Sequence, residues 1–243
     1  MQYDLSWSPN DFTTFWVILL STFFFSVYWF IFVSERIKQG FYAKYEAEKA
    51  SEKHVLFTKA SGFVLMGILP FLVFMYLFPK YSLADYGISL SKGTNLLSLK
   101  WIVFLCTLVL ILNWFAARRE KTFSMYPQMR IKEWDTRLIL TYSMGWVLYL
   151  FGYEALFRGY LFFPLVETMG VWPAIAVNTA LYSATHIPKG MDETIGAPIL
   201  GVILCLITLQ TGTIWVAFAV HVALALSNSL IALKFHPEMK IIR

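Results

Sequence analysis

Tyr153-Glu154-Ala155-Leu156-Phe157-Arg158-Gly159 sets a carboxylate and a guanidinium four residues apart within a largely apolar run from Leu138 to Leu233. Placing an Asp or Arg at the centre of a membrane helix costs about 2.5 to 3.5 kcal/mol on insertion scales. A chain that keeps both charges in such a run marks a functional site there.

The rest of the chain makes the membrane reading general. Of its 243 residues, 58% are hydrophobic and 14% charged, with a mean hydropathy of +0.60. Soluble domains carry roughly 25% charged residues. Several apolar runs near the length of a membrane span complete the picture of an all-α, polytopic transmembrane helical bundle. The net charge of +5 sits in the loops, so it reads as a topology signal and not as a nucleic-acid footprint. Cys106 and Cys205 both fall in apolar runs and are expected to be buried thiols without a disulfide. The first residues carry Asp4 and no basic cluster, so no cleaved signal peptide is expected. The ending Lys240-Ile241-Ile242-Arg243 is no prenylation box.

Seven spans are expected: Phe12–Val33, Val55–Phe78 with Pro70 as a potential kink, Trp101–Ala117, Leu138 to about Val166, Trp172 to about His186, Ile195–Leu209 and Thr213–Leu233. The connections Ser34–Lys59 and Arg118–Arg137 hold six Lys/Arg each, against three in Pro79–Lys100 and none in the N-terminal tail. Basic loops stay cytoplasmic, so the N-terminus is placed outside and those two loops inside. Leu138–Val166 exceeds the roughly 20 residues a span needs. It is either one tilted helix running past the membrane or two shorter helices broken near Gly152, which would raise the total to eight.

Two histidines join Glu154 and Arg158 as polar intrusions into apolar segments. His186 ends Tyr182-Ser183-Ala184-Thr185-His186, and His221 lies within Trp215-Val216-Ala217-Phe218-Ala219-Val220-His221. Each has a plain structural reading. Glu154 and Arg158 can neutralise each other across one helix turn. His186, before Ile187-Pro188, can cap last-turn carbonyls. His221 can be a buried, hydrogen-bonded imidazole. Asn178 and Asn228 are weaker intrusions suited to interhelical glue. His54 reads as a surface residue. Brought together, Glu154, Arg158, His186 and His221 could activate water, stabilise an oxyanion or relay protons. Glu and His are also zinc ligands.

Glu154-Ala155-Leu156-Phe157-Arg158-Gly159, then Tyr182 to His186, then Thr211-Gly212-Thr213-Ile214-Trp215 leading into His221, resembles the CAAX protease / bacteriocin-processing (CPBP, or Abi) family. Its three motifs, Glu-Glu-x-x-x-Arg, Phe-x-x-x-His and His-x-x-x-Asn/Asp, occur in this order. The resemblance covers roughly Asp85 to Leu233, with its core from Trp146 to Leu233, so residues 85–243 are read as the protease-like core and 1–84 as N-terminal spans with a cytoplasmic basic loop. It implies a multi-pass intramembrane endopeptidase of the glutamate or metal type, in the cell membrane of a bacterium. Its partners would be membrane lipids and a membrane-associated peptide or protein, with no nucleic acid. Glu154, Arg158, His186 and His221 would form the catalytic set, with His186 and His221 as ligands of a divalent metal such as zinc.

Two positions depart from the pattern. Tyr153 stands where the first glutamate is expected, and Ala225 replaces the third motif's Asn or Asp. A phenol of ordinary pKa near 10 is a poor base at neutral pH. The alternative is therefore a catalytically inactive member that binds or scaffolds in the membrane. A small proton-coupled transporter ranks third, because no broken spans repeat across two halves. The seven-span layout also leaves the site uneven: from the inner face, Glu154 lies at about 24 Å, His186 at about 8 Å and His221 at about 18 Å. This points to a break and re-entry within Leu138–Val166.

Overall fold

The computed structural model describes residues 5–186 and 191–242. Asp4, Ile187-Pro188 and Arg243 lie outside the described residues. The fold is an all-α membrane bundle, with a single two-residue β pairing among the described residues.

Local sequence sets the helix boundaries. α1 (Pro9–Val33) starts on a capping box: Ser8 Oγ accepts from the Asp11 amide at 3.1 Å, and the Asp11 carboxylate accepts from the Ser8 amide at 3.1 Å. α2 (Glu35–Lys44) and α3 (Ala47–Phe63) follow, separated by an extended Tyr45-Glu46. α3 runs through a π-helical segment, Val64–Ile68, into α4 (Leu69–Leu77). After a short α5 (Leu90–Gly93), Asn95 caps α6 (Leu96–Ala116) by accepting from the Ser98 amide at 2.8 Å. A short α7 (Glu120–Phe123) and β1 (Glu133–Trp134) lead to α8 (Thr136–Glu154), capped by Asp135, whose carboxylate accepts from Leu138 N at 2.7 Å. α8 passes into the π-helical segment Ala155–Phe162 and on into α9 (Phe163–Met169). α10 (Val171–Ala184), α11 (Met191–Thr211), α12 (Trp215–Phe235) and β2 (Lys240–Ile241) complete the order.

Among the described residues, five helical stretches are long and apolar enough to cross a membrane: Pro9–Val33, Ala47–Leu77, Leu96–Ala116, Thr194–Thr211 and Trp215–Phe235. They match five of the seven expected spans. α6 shows what faces lipid. It leaves Val103, Phe104, Ile111, Leu112 and Phe115 more than half exposed and buries little beyond Ser98 and Asn113. At the other extreme, all eight residues of Ala155–Phe162 are buried.

Of the two remaining expected spans, Leu138–Val166 takes the unbroken form of its two alternatives, and Trp172–His186 is shorter than expected. There is no break or re-entry at Gly152, because Thr136–Met169 is one continuous helix. The glycine serves close packing instead. A Cβ there would lie 3.1 Å from the Gly67 amide nitrogen and 3.2 Å from the Gly62 carbonyl oxygen, so α3 and α8 meet backbone to backbone. The helix carries a π-helical segment that ends two residues before Pro164, as the Val64–Ile68 segment ends two residues before Pro70. Proline has no amide hydrogen for the usual bond and its ring crowds the preceding turn, so both helices take up the mismatch by local π winding. α10 has 14 residues, about 21 Å long at 1.5 Å per residue and shorter than a ~30 Å hydrocarbon core.

The two basic connections lie on one side. The Arg130 amide donates to Ser51 Oγ at 2.8 Å, and the Lys132 amide to Glu48 Oε1 at 3.3 Å. β2 pairs in parallel with β1, which brings the chain after α12 to the same side. One assignment changes here. Lys59, counted with the first basic loop, is 2% exposed inside α3. Cys106 and Cys205 are free, and Cys205 is buried. His54 is partly buried, its ring 5.7 Å from that of Phe41.

Overpacking a close-packed core costs about 1–3 kcal/mol. Gly152→Val is expected to destabilise the bundle by about that amount, read as a lower unfolding midpoint in detergent, whereas Gly40→Val, which meets nothing within 4 Å, leaves it unchanged.

Candidate functional site

The site forms where α10 stops short. Its C-terminal end brings Tyr182, Thr185 and His186 level with the end of α8 and the second turn of α12. Tyr182 Oη lies 3.0 Å from His221 Nε2, and Tyr153 Oη 3.0 Å from Thr185 Oγ1. The depths that the seven-span layout left uneven are reconciled by this short helix.

Glu154 and Arg158 are both fully buried, with Glu154 Oε2 3.8 Å from Arg158 Nε. The other carboxylate oxygen, Oε1, stands 2.6 Å from His221 Nδ1. The approach is close but not aligned as a hydrogen bond. Neither Glu154 oxygen, nor His221 Nδ1, nor any Arg158 nitrogen has an aligned partner among the described residues. The Arg158 guanidinium also lies over the Tyr182 ring, 4.5 Å from its centroid, a cation–π contact. Glu154 thus sits between one cation and one imidazole. Tyr182 touches both with different atoms.

His221 separates this buried pair from an open cavity of about 340 Å³. His221, His186, Tyr153 and Tyr182 line it at one end, and Lys59, Tyr126, Gln128 and Trp146 line it toward the basic loops. Glu154 is not among its walls. Successive helix residues point about 100° apart, so Tyr153 faces the cavity while Glu154 faces Arg158 and His221 behind it. The two substituted motif positions, Tyr153 and Ala225, both front the cavity, and so does Asn228. A second cavity, about 390 Å³, opens between α1 and α10 beside Phe25, Trp29 and Thr185, which it shares with the first.

His186 follows its structural reading in part. Its Nδ1 lies 2.9 Å from the Tyr182 carbonyl oxygen, as expected of a helix-end cap, while the ring also lines the cavity. Asn178 is glue: its Nδ2 donates to the Phe157 carbonyl at 2.6 Å, inside the π-helical segment, and its Oδ1 accepts from Cys205 Sγ at 3.3 Å. Asn113 ties α6 to α12 by donating to Ser227 Oγ at 2.7 Å. The loop before α5 closes the far end. Gly87, at φ +71°, offers its carbonyl to the Ile214 amide at 3.1 Å and to Thr213 Oγ1 at 2.9 Å. That fixes the Thr-Gly-Thr lead-in and the start of α12.

A resident zinc needs three or four protein ligands. Among the described residues, no three His, Cys, Asp or Glu side chains meet in a way that could hold a metal ion. His221 presents Nδ1 to Glu154 and Nε2 to Tyr182, and His186 turns Nδ1 to a backbone carbonyl. The donor set does not fit the metal that His186 and His221 were expected to share.

Lys59, Trp146, Tyr149 and Thr185 are wall residues that sequence reasoning missed. The first was hidden in a loop count, and the aromatics read as ordinary span residues. Trp146, Tyr149 and Tyr153 follow helical spacing along one face, the signal that could have found them.

Residues 135–227 match the family model described as Rce1-like, type II CAAX prenyl endopeptidase. The matched segment begins at the cap of α8 and ends inside α12, so it contains all four candidate residues. It bears out the resemblance carried by the three motifs. No curated protein and no solved structure matches the chain.

Removing one partner of a buried charge pair costs about 3–5 kcal/mol, whereas replacing both by apolar or neutral groups is close to neutral. Arg158→Leu is expected to lower unfolding stability by about that amount, and Glu154→Gln with Arg158→Met to recover most of it, measured by denaturation in micelles.

Proposed function

With the segment that holds the site matched to a family of membrane endopeptidases, we propose that this chain hydrolyses peptide bonds of membrane-associated substrates at the end of the cavity that His221 fronts. His221 acts as the general base, and Glu154 orients it. The 2.6 Å contact between His221 and Glu154 carries this reading. It gives the base position to a residue that fronts the cavity, which neither Glu154 nor a phenol at Tyr153 can supply.

The chemistry follows from the atoms. In the tautomer with a proton on Nδ1, His221 faces Glu154 with that proton and leaves Nε2 as acceptor. Nε2 is now met by the Tyr182 hydroxyl at 3.0 Å. A water taking that place would pass its proton to Nε2 as it attacks the carbonyl carbon. The carboxylate stabilises the imidazolium that forms, which then gives the proton to the amide nitrogen as the C–N bond breaks and the amine leaves. The Tyr153 and Tyr182 hydroxyls are donors within the same wall for the developing oxyanion. Arg158 balances the Glu154 charge throughout. The second cavity, between α1 and α10, suits an apolar substrate anchor reaching the site sideways from lipid.

Tyr153 in the cavity wall also supports a second reading, a family member that binds such ligands without hydrolysis. The two readings separate in one assay, cleavage of a membrane-anchored peptide by purified protein. General base catalysis is worth about 10²- to 10⁴-fold. Under the hydrolase reading, His221→Ala loses about that factor in kcat, and Glu154→Gln falls in the same direction. Equal cleavage by all three proteins sinks it. A silent wild type that gains activity on Tyr153→Glu with Ala225→Asn establishes the binding reading instead.

A further inference from the structure

Lys59 is the one lysine or arginine in the wall of the cavity that His221 fronts among the described residues, and that wall contains no Asp or Glu. It is 2% exposed, within a span. Its Nζ lies 3.2 Å from the centroid of the Trp146 ring and 4.6 Å from that of Tyr149. Its stem crosses Gly145, where a Cβ would meet Lys59 Cβ and Cγ at 3.5 Å each. Those are ordinary packing distances, so the lysine stem lies in van der Waals reach of α8 at that level. A lysine this near an aqueous face ordinarily snorkels toward it. This one instead keeps its head on two aromatic faces of the cavity.

We propose that Lys59 is the anchor for the C-terminal carboxylate of the peptide bound in this cavity, and so sets both the charge and the reach of the substrate's end. The assignment rests on the reading that a peptide enters here. Charge complementarity selects an anion, because the wall offers a cation and no carboxylate. Spacing selects the chain terminus. Lys59 sits at the level of Trp146 and Tyr149, about five to eight residues below Glu154 along α8, or roughly 7–12 Å at 1.5 Å per residue. An extended peptide covers about 3.3–3.6 Å per residue. The carboxylate therefore lies about two to three residues beyond the bond presented to His221, and a longer tail would run its terminus past the lysine. The aromatic cage holds the ammonium in place before the ligand arrives.

The test is equilibrium binding of two probes to the protein in phosphatidylcholine nanodiscs. One is a fluorescent S-farnesyl tetrapeptide, beginning at the modified cysteine and ending in a free carboxylate; the other is the same peptide as its C-terminal amide. A hydrogen bond to a charged group is worth about 1.5–3 kcal/mol, so the wild type should prefer the carboxylate by at least about tenfold. Lys59→Gln should bring that ratio to about one, and Lys59→Arg should keep it above one. Because each ratio is taken within one protein, it does not depend on the fraction folded. An unchanged ratio in Lys59→Gln, equal affinities in the wild type, or no binding of either probe overturns the assignment. Preference without any hydrolysis leaves Lys59 standing and removes the hydrolase reading. Hydrolysis of both probes at equal affinity does the reverse.

Discussion

Everything in the central part of the bundle is arranged around a buried carboxylate. Glu154 is held 3.8 Å from Arg158 and 2.6 Å from His221 with no exposure to the outside. A charge taken this far out of water is tolerated only with its partners in place. That requirement fixes the relative depth of α8 and α12. Through Tyr182, which touches both His221 and Arg158, it fixes the end of α10 as well. The short α10 is the consequence that matters most for chemistry. A full span would carry Tyr182 and His186 past the level of His221, and no cavity wall would form there.

The second constraint is the backbone around the two prolines. π-Helical winding before Pro70 and Pro164 lets both helices continue without a break. It also leaves carbonyls for side chains to satisfy, as Asn178 does at Phe157. Gly62, Gly67 and Gly152 bring the α3 and α8 backbones together at this height. The rigid, fully buried Ala155–Phe162 segment then presents Arg158 from behind while Tyr153, just before it, meets the cavity.

The helical class, the alternation of loop charge and the cluster of Glu154, Arg158, His186 and His221 were legible because charge inside an apolar run is costly and therefore informative. Five spans could be placed from hydropathy alone. The fate of Leu138–Val166 could not. A glycine in a helix signals both breakage and close approach, and only the partner helix decides that Gly152 is the second. The depth of α10 was hidden because hydropathy marks where apolar residues are, not where a helix ends within the membrane. Lys59 was misplaced because a count of basic residues treats every lysine as solvated, and this one is covered by Trp146. The role of His221 was half legible. Its residue type was noted, but its position between Glu154 and the cavity depends on which side of α8 faces α12.

The most direct measurement of the account is a double-mutant cycle between Glu154 and His221, made on unfolding stability with Glu154→Gln, His221→Ala and the pair. Residues in contact couple by about 0.5–3 kcal/mol, whereas independent sites add to within about 0.3–0.5 kcal/mol. The arrangement described here predicts clear non-additivity, at least about 1 kcal/mol, with the double variant less damaged than the sum of the singles. Additive losses would mean that the carboxylate does not hold the imidazole, and would contradict the site built on that contact.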